Sequence, residues 1–442
     1  MKPTADDTVT RGYVPCLTLF VFSACVYSQP LQPMPPHRPG QAIVSFDATY
    51  PISHCRQVLQ AHGCQVNAQC RSGHVYQVIV DSSAPTLSVV DALNNEPSVA
   101  YAELNYLAYA HSVPNDPFFE FQWHLGDPNK GGINMPKAWD RQQGDPNVIV
   151  AILDTGVAYE DFGDFSQAPD LEGTRFVSGF DFVNNDTHPD DDQGHGTHIA
   201  GTIAQSTNNE QGVAGIAFGC SIMPVKVLDM DGVGDHFTIA TGIYWAVDQG
   251  AQVLNMSLGS AEPSEVLRRA IAYAYENEVT VVCSAGNAFV DGNPINYPAA
   301  YDDHCIAVGA STVDRIRAYY SNTGDYVDLV APGGEVFTDL NEDGFADGIL
   351  QQTFFSEPTI FAYRYLQGTS MAAPHVAGAA ALLISDGVHH PQAVRTALEQ
   401  TALDLGAEGL DLEFGWGLID VAKALRYWDN VSMPEGETTR MR

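Results

Sequence analysis

Positive charge is what this chain has least of. Twenty Lys+Arg stand against 54 Asp+Glu in 442 residues, a formal net charge of −34. So small a basic complement excludes the footprint that nucleic acid requires, and a polybasic membrane-surface role with it. Long apolar runs are scarce too. The one of note is Tyr13 to Tyr27 (YVPCLTLFVFSACVY), shorter than the ~20 residues of a spanning helix. There is no internal repeat. Cysteine is sparse, at eight residues. Cys220, Cys283 and Cys305 are the only ones beyond residue 112, an odd number that pairing cannot use up. Cys283 and Cys305 border apolar strand-like runs and read as core thiols, and none is placed to be a nucleophile. What is abundant excludes disorder: 45% of residues are hydrophobic and 10% aromatic. The length suits two or three domains.

Residues 1–28 read as an export signal: Lys2 and Arg11, then the apolar run, then Val26-Tyr27-Ser28 as a cleavage site. Phe22-Ser23-Ala24-Cys25 also resembles a lipoprotein processing site, with Phe where Leu is usual, so lipid anchoring through Cys25 stands as the alternative. Residues 29–40 are a Pro-rich linker. Residues 41–111 form a small module with strand-like runs at Gln41–Phe46, Val75–Val80 and Val99–Tyr106, and helix-like stretches near Ile52–His62 and Leu87–Asn94. That β-α-β-α-β order predicts an α+β sandwich of one sheet and two helices. From residue 112 to 429 the pattern changes. Short apolar strands at Val148–Leu153, Ile222–Val227, Gln252–Met256, Thr280–Cys283 and Cys305–Val308 alternate with helices. This is the signature of an α/β fold, a mostly parallel sheet covered on both faces. Residues 430–442 are a polar tail.

Three polar residues sit at element edges. Asp154 follows the apolar strand VIVAIL, where open α/β sheets keep their sites. His195 lies in the Gly-punctuated segment Gly194-His195-Gly196-Thr197-His198-Ile199-Ala200-Gly201, and Ser370 opens a helix in Gly368-Thr369-Ser370-Met371-Ala372-Ala373-Pro374-His375. Singly, each has an ordinary structural role: a loop cap, a core histidine, an N-cap. Together, in the order Asp, His, Ser, the blocks DTG, HGTHIAG and GTSMAAPHVAG closely resemble the active-site blocks of subtilisin-like serine proteases. The resemblance runs from about Asn115 to Leu425.

The resemblance implies a serine endopeptidase acting on polypeptides. Serine needs an adjacent base to attack at neutral pH, and His195, with an ordinary pKa of ~6.5, takes and returns the proton. Asp154 would hold the imidazole's tautomer. The Ser370 N–H and Asn287, in Ser284-Ala285-Gly286-Asn287, would hold the oxyanion. Ser257-Leu258-Gly259 and the facing Gly232-Val233-Gly234 resemble the segments that pair with an extended substrate. Asn296 falls near the base of the specificity pocket, which shows no evident charge and implies apolar or aromatic preference. Residues 99–106 resemble the end of an inhibitory propeptide, which makes residues 41–111 a ferredoxin-like propeptide module. Self-cleavage is expected between Tyr106 and Pro114, with the chain's own propeptide as an intramolecular inhibitor and a monomer as the mature enzyme. A catalytically silent binding protein of the same fold and an esterase are the rival readings.

Carboxylates and amides cluster in three places that suggest structural calcium. Asp339, Asn341, Asp343, Phe345 (by its carbonyl) and Asp347 alternate around Gly344, as in an EF-hand loop shortened at Leu350. Asp116 and Asp170 with Thr207, Asn209, Gln211 and Val213 resemble the family's tight calcium site. Asp181, Asn184, Asp186 and Asp190 resemble the weaker site of a thermostable branch, although His188 stands where an oxygen ligand is expected. No metal is expected in the chemistry itself.

Overall fold

The computed structural model describes residues 37–71, 73–81, 85–106, 113–301 and 303–429. The expected signal, most of the linker, the stretch 107–112 and the tail lie outside the described residues. In the small unit, strand β1 (His37–Phe46) turns Ala42, Val44 and Phe46 inward, and β3 (Val75–Val80) turns Tyr76, Val78 and Val80 inward, the period of two that a half-buried sheet imposes. Helices α1 (Ile52–Ala61) and α2 (Thr86–Asn94) cover that face with Cys55, Leu59, Val89, Val90 and Leu93. The order β-α-β-α-β needs one correction. A strand β2 (Cys64–Gln69) intervenes and pairs antiparallel with β3. Its run CQVNAQ buries only Cys64, so it carries almost no apolar signal and is an edge strand held by its ladder. With β4 (Val99–Tyr106) the sheet order is β2-β3-β1-β4, a ferredoxin-like β-α-β-β-α-β unit. β1 begins at His37, so the sheet takes in the last four residues of the Pro-rich stretch.

The larger unit contains, in order, α3 (Met135–Trp139), β5 (Ile149–Asp154), the short β6 (Arg175–Phe176) and β7 (Phe180–Asp181), α4 (His195–Ala204), β8 (Ser221–Lys226), α5 (His236–Asp248), β9 (Val253–Met256), α6 (Glu265–Glu276), β10 (Thr280–Ser284), β11 (Ile306–Ser311), β12 (Leu329–Pro332), β13 (Ile349–Thr353), β14 (Ala362–Leu366), α7 (Thr369–Ser385), α8 (Pro391–Thr401) and α9 (Val421–Ala424). The five expected strands are β5, β8, β9, β10 and β11. They form a parallel sheet ordered β12-β11-β10-β9-β5-β8-β6, with β7 also beside β8.

Alternation splits the core in two. Val150 and Ile152 of β5 join α4 and α7 on one face, while Ala151 and Leu153 join α5 and α6 on the other. A strand buried on both faces must be apolar throughout, which is why VIVAIL reads as a continuous run. β5 is the switch point: the chain first adds β8 on one side of it, then β9 and its successors on the other. The carboxyl ends of such strands border a crevice, and Asp154 ends β5 there. The antiparallel pair β13–β14 is an excursion between Gly333 and Ser370, with the acidic loop 339–348 leading into it. No described helix is long and apolar enough to cross a membrane.

Candidate active site

Asp154 is fully buried. Its Oδ1 accepts from the Thr155 N–H at 2.8 Å and from His195 Nδ1 at 2.7 Å. With Nδ1–H committed to the carboxylate, Nε2 keeps its lone pair. His195 begins α4 and its side chain is a quarter exposed. The glycines around it are there for close approach. Gly194 has φ 100°, and a Cβ on Gly196 would strike the Gly156 carbonyl and sit 3.2 Å from Asp154 Oδ1. Burial is the largest influence on the imidazole and lowers its pKa. The charge and hydrogen bond of Asp154, with the charge of Asp191, outweigh it, so the pKa ends above its ordinary value.

Ser370 is the second residue of α7, and its N–H, in the first helical turn, has no intrahelical acceptor. Its Oγ donates to the Ser257 carbonyl at 3.2 Å, and Ser257 Oγ donates back to the Ser370 carbonyl at 2.8 Å. Pro374 explains why that carbonyl is available: lacking an N–H, it cannot close the i→i−4 bond onto residue 370. Among the described residues Ser370 Oγ makes no hydrogen bond to His195.

Asn287 Oδ1 accepts both the N–H and the Oγ1–H of Thr369, each at 2.8 Å. Two donors on Oδ1 fix the amide's orientation and make Nδ2 the donor facing Gly368-Thr369-Ser370; a Cβ on Gly368 would lie 3.5 Å from it. Asn322, buried, braces the loop, its Oδ1 accepting from the Ala288 N–H at 2.7 Å. Asn296 Nδ2 donates to the Ser284 carbonyl at 2.9 Å. Its amide is packed between Gly259 and Gly286, where side chains would collide with it, and the Ala285 carbonyl accepts from Tyr326. A cavity of about 440 Å³ opens beside His195, between Gly232-Val233-Gly234 and Ser257-Leu258-Gly259, and is lined also by Ile239, Leu267, His236 and Tyr297.

Four positioning side chains were not singled out from the sequence. Asp191, fully buried, accepts from Thr155 Oγ1 (2.8 Å), Gly194 N–H (2.9 Å) and Thr197 Oγ1 (2.6 Å), tying the Asp154 loop to the His195 loop. Burial raises its carboxyl pKa against those hydrogen bonds. Lys226, buried at the end of β8, donates to the Thr155 carbonyl (2.6 Å), Asp192 (2.7 Å) and the Leu228 carbonyl (3.0 Å). Thr369 and Asn322 complete the set. The available signals were slight: a lysine ending an apolar strand, and an acidic run just before Gly194.

The oxygen clusters differ in how far they assemble. Asp116 and Asp170, both buried, converge on the 207–213 loop. Asp116 accepts from the Asn208 N–H at 2.9 Å, and Asp170 accepts from Asn209 Nδ2 at 2.8 Å and the Val213 N–H at 3.1 Å. Thr207 Oγ1 accepts from the Gly215 N–H, and the Gln211 N–H donates to Asn209 Oδ1. Burial raises the Asp170 pKa to about 6. The 339–347 loop wraps on itself: Asp339 accepts from the Asp343 and Gly344 N–H groups, Asn341 from Asp343, and Asp343 from the Phe345 N–H at 2.8 Å. Asp347, fully buried, accepts from the Leu340 N–H with Oδ2 and has no partner at Oδ1. In the third cluster Asp181 closes on Asn184 through Nδ2 (2.9 Å), and Asp186 accepts from the His188 N–H (2.8 Å). Asp190 lies with Glu160 and His188, one ligand atom of each within 4.8 Å of the others, and the charges of Asp186 and Asp181 reach it as well. Cys220, Cys283 and Cys305 are buried free thiols.

Residues 145–417 match the subtilase family, and residues 30–105 match the fervidolysin N-terminal prodomain. A thermophilic serine proteinase of Bacillus sp. (strain AK1) is 39% identical over 329 residues, 74% of this chain and 73% of that protein. Thermitase of Thermoactinomyces vulgaris is 39% identical over 316 residues, 71% of this chain and all of thermitase. The crystal structure of fervidolysin from Fervidobacterium pennivorans, a keratinolytic enzyme related to subtilisin, superposes with a TM-score of 0.57 at 26% identity, covering 90% of this chain and 62% of that one.

Proposed function

Because this chain belongs to the subtilase family and is a serine endopeptidase with an N-terminal prodomain, we propose that Ser370, His195 and Asp154 perform its chemistry, with Asn287 and the Ser370 N–H holding the oxyanion. Ser370 Oγ turns from the Ser257 carbonyl toward His195 Nε2, gives up its proton there and attacks the scissile carbonyl carbon. The oxyanion forms between the Ser370 N–H and Asn287 Nδ2. Its collapse expels the amine, which takes the proton from His195. Water, activated by the same imidazole, then hydrolyses the acyl-enzyme. The observation that carries this reading is the double clamp of Thr369 on Asn287 Oδ1, which commits the oxygen and leaves Nδ2 as the donor end of the amide, beside Gly368.

Substrate binds as an extended strand between 232–234 and 257–259, with Asn296 at the base of a pocket for an apolar or aromatic side chain. The precursor is exported, cleaves itself between Tyr106 and Pro114, and is freed from its propeptide. Calcium, an oxygen-seeking ion, is a structural component. The orphaned Oδ1 of Asp347 and the buried pair Asp116–Asp170 fit a bound cation. Asp339, Asn341, Asp343, Phe345 and Asp347 would hold one ion, and Asp116, Asp170, Thr207, Asn209, Gln211 and Val213 another. The test is wild type beside Ser370→Ala in calcium, followed by intact mass and casein hydrolysis. Wild type is expected to shorten near residues 106–114 and digest casein, and Ser370→Ala to do neither. A folded wild type that does neither overturns the proposal.

A further inference from the structure

Asp190 is 3% exposed, and neither of its carboxylate oxygens has a hydrogen-bond partner. A buried carboxylate left so is costly unless a cation or proton meets it. What it faces is Glu160 and His188: one ligand atom from each of the three lies within 4.8 Å of the others. This is the single group of its kind among the described residues. Glu160 and His188 are each about a third exposed, at 33% and 35%, so the pocket opens to solvent above a buried acidic floor.

The rim is already ordered. His188 Nδ1 and Glu160 Oε1 are 2.8 Å apart, and the Tyr159 hydroxyl donates to the same Oε1 at 2.6 Å. The His188 ring lies flat on Phe162, with centroids 3.6 Å apart and planes 1° from parallel. Such outer contacts hold a metal ligand's orientation. The donor set is two carboxylates and an imidazole. Calcium takes six to eight oxygens, whereas imidazole nitrogen with carboxylate suits zinc and its neighbours, which accept three protein ligands and keep a position open.

We propose that Glu160, His188 and Asp190 form a binding site for a divalent cation of the zinc class. Glu160 follows Asp154 in one loop, and Asp190 precedes His195 in the next. The ion therefore staples together the two loops that carry those residues, replacing the proton shared by His188 and Glu160. The site does not depend on the chemistry at Ser370.

The test uses the full chain carrying Ser370→Ala, which removes self-digestion, stripped with chelator and titrated with Zn²⁺ alone by calorimetry, with melting followed in parallel. One saturable Zn²⁺ event that raises the melting temperature is expected. Its affinity should fall about tenfold or more in Glu160→Gln and in His188→Ala. His188→Asp, an all-oxygen set, should lose zinc affinity and gain calcium affinity. Zinc binding that survives Glu160→Gln and His188→Ala unchanged belongs elsewhere and overturns the proposal. Displacement of zinc by an equal concentration of Ca²⁺ overturns it too. If His188→Ala melts early in chelator, Glu160→Gln on the exposed rim decides.

Discussion

At the scale of single residues, the proposed chemistry depends on orientation more than on proximity. Asn287 works only if Nδ2 rather than Oδ1 faces the oxyanion, and Thr369 enforces this with two donors. Removing one oxyanion donor typically costs about 10²–10³ in turnover, so Asn287→Ala should lower kcat by that factor in steady-state peptide hydrolysis with little change in KM. Thr369→Val keeps the N–H but loses the hydroxyl, a hydrogen bond of about 1 kcal/mol, and should cost kcat only about five- to tenfold. His195 supplies a pH signature. Its neutral form is the base, and its pKa lies above the ordinary value. The protonated, inactive form therefore persists to higher pH, and the acid limb of kcat/KM should have its midpoint above ~6.5. Asp154→Asn removes the charge that raises it, so burial should pull the midpoint of the residual activity below that of wild type. A pH–rate profile of both proteins checks this.

At the scale of elements, α7 presents Ser370 and also fills the core, buried from Met371 through Ile384. It can lie so close to its neighbours because Gly378 lacks a side chain. A Cβ there would be 2.7 Å from Ile216 Cγ2. Gly378→Val should therefore overpack the contact and cost about 1–3 kcal/mol, read as a lower melting temperature in calorimetry of the Ser370→Ala background. The edge strand β2 contrasts with it. Its pairing rests on backbone hydrogen bonds, side-chain amide hydrogen bonds from Asn67 to Gln77 and from Gln69 to Tyr76, and one buried cysteine, which is why its polar run gave no apolar signal.

At the scale of the molecule, acidity dominates. Residues 112–442 hold 47 Asp+Glu and 15 Lys+Arg, a formal charge of −32. The two proposed Ca²⁺ would supply four positive charges, so bound calcium explains where some carboxylates cluster and not their total. Repulsion among surface carboxylates destabilises the compact state and is screened over about 10 Å at 0.1 M salt. Adding NaCl at neutral pH should raise the melting temperature of Ser370→Ala in calcium. Chelation should lower it, because an ion that binds only the folded chain stabilises it by mass action. A melting temperature indifferent to chelator would remove calcium from the reading.

The chain by itself determined the five inner strands of a parallel sheet and the three blocks around Asp154, His195 and Ser370, but not the order in which those strands lie side by side. Each is a local requirement. A strand buried on both faces must be apolar at successive positions, and a turn pressed against neighbouring backbone carbonyls needs glycine on either side of His195, so the rule is written in contiguous residues. Tertiary structure alone decided that Thr369 orients Asn287, that Asp191 and Lys226 bind the Asp154 loop to its neighbours, and that Glu160 meets His188 and Asp190. Those partners come from separate loops, and no spacing along the chain encodes a meeting that exists only after the sheet has brought the loops together.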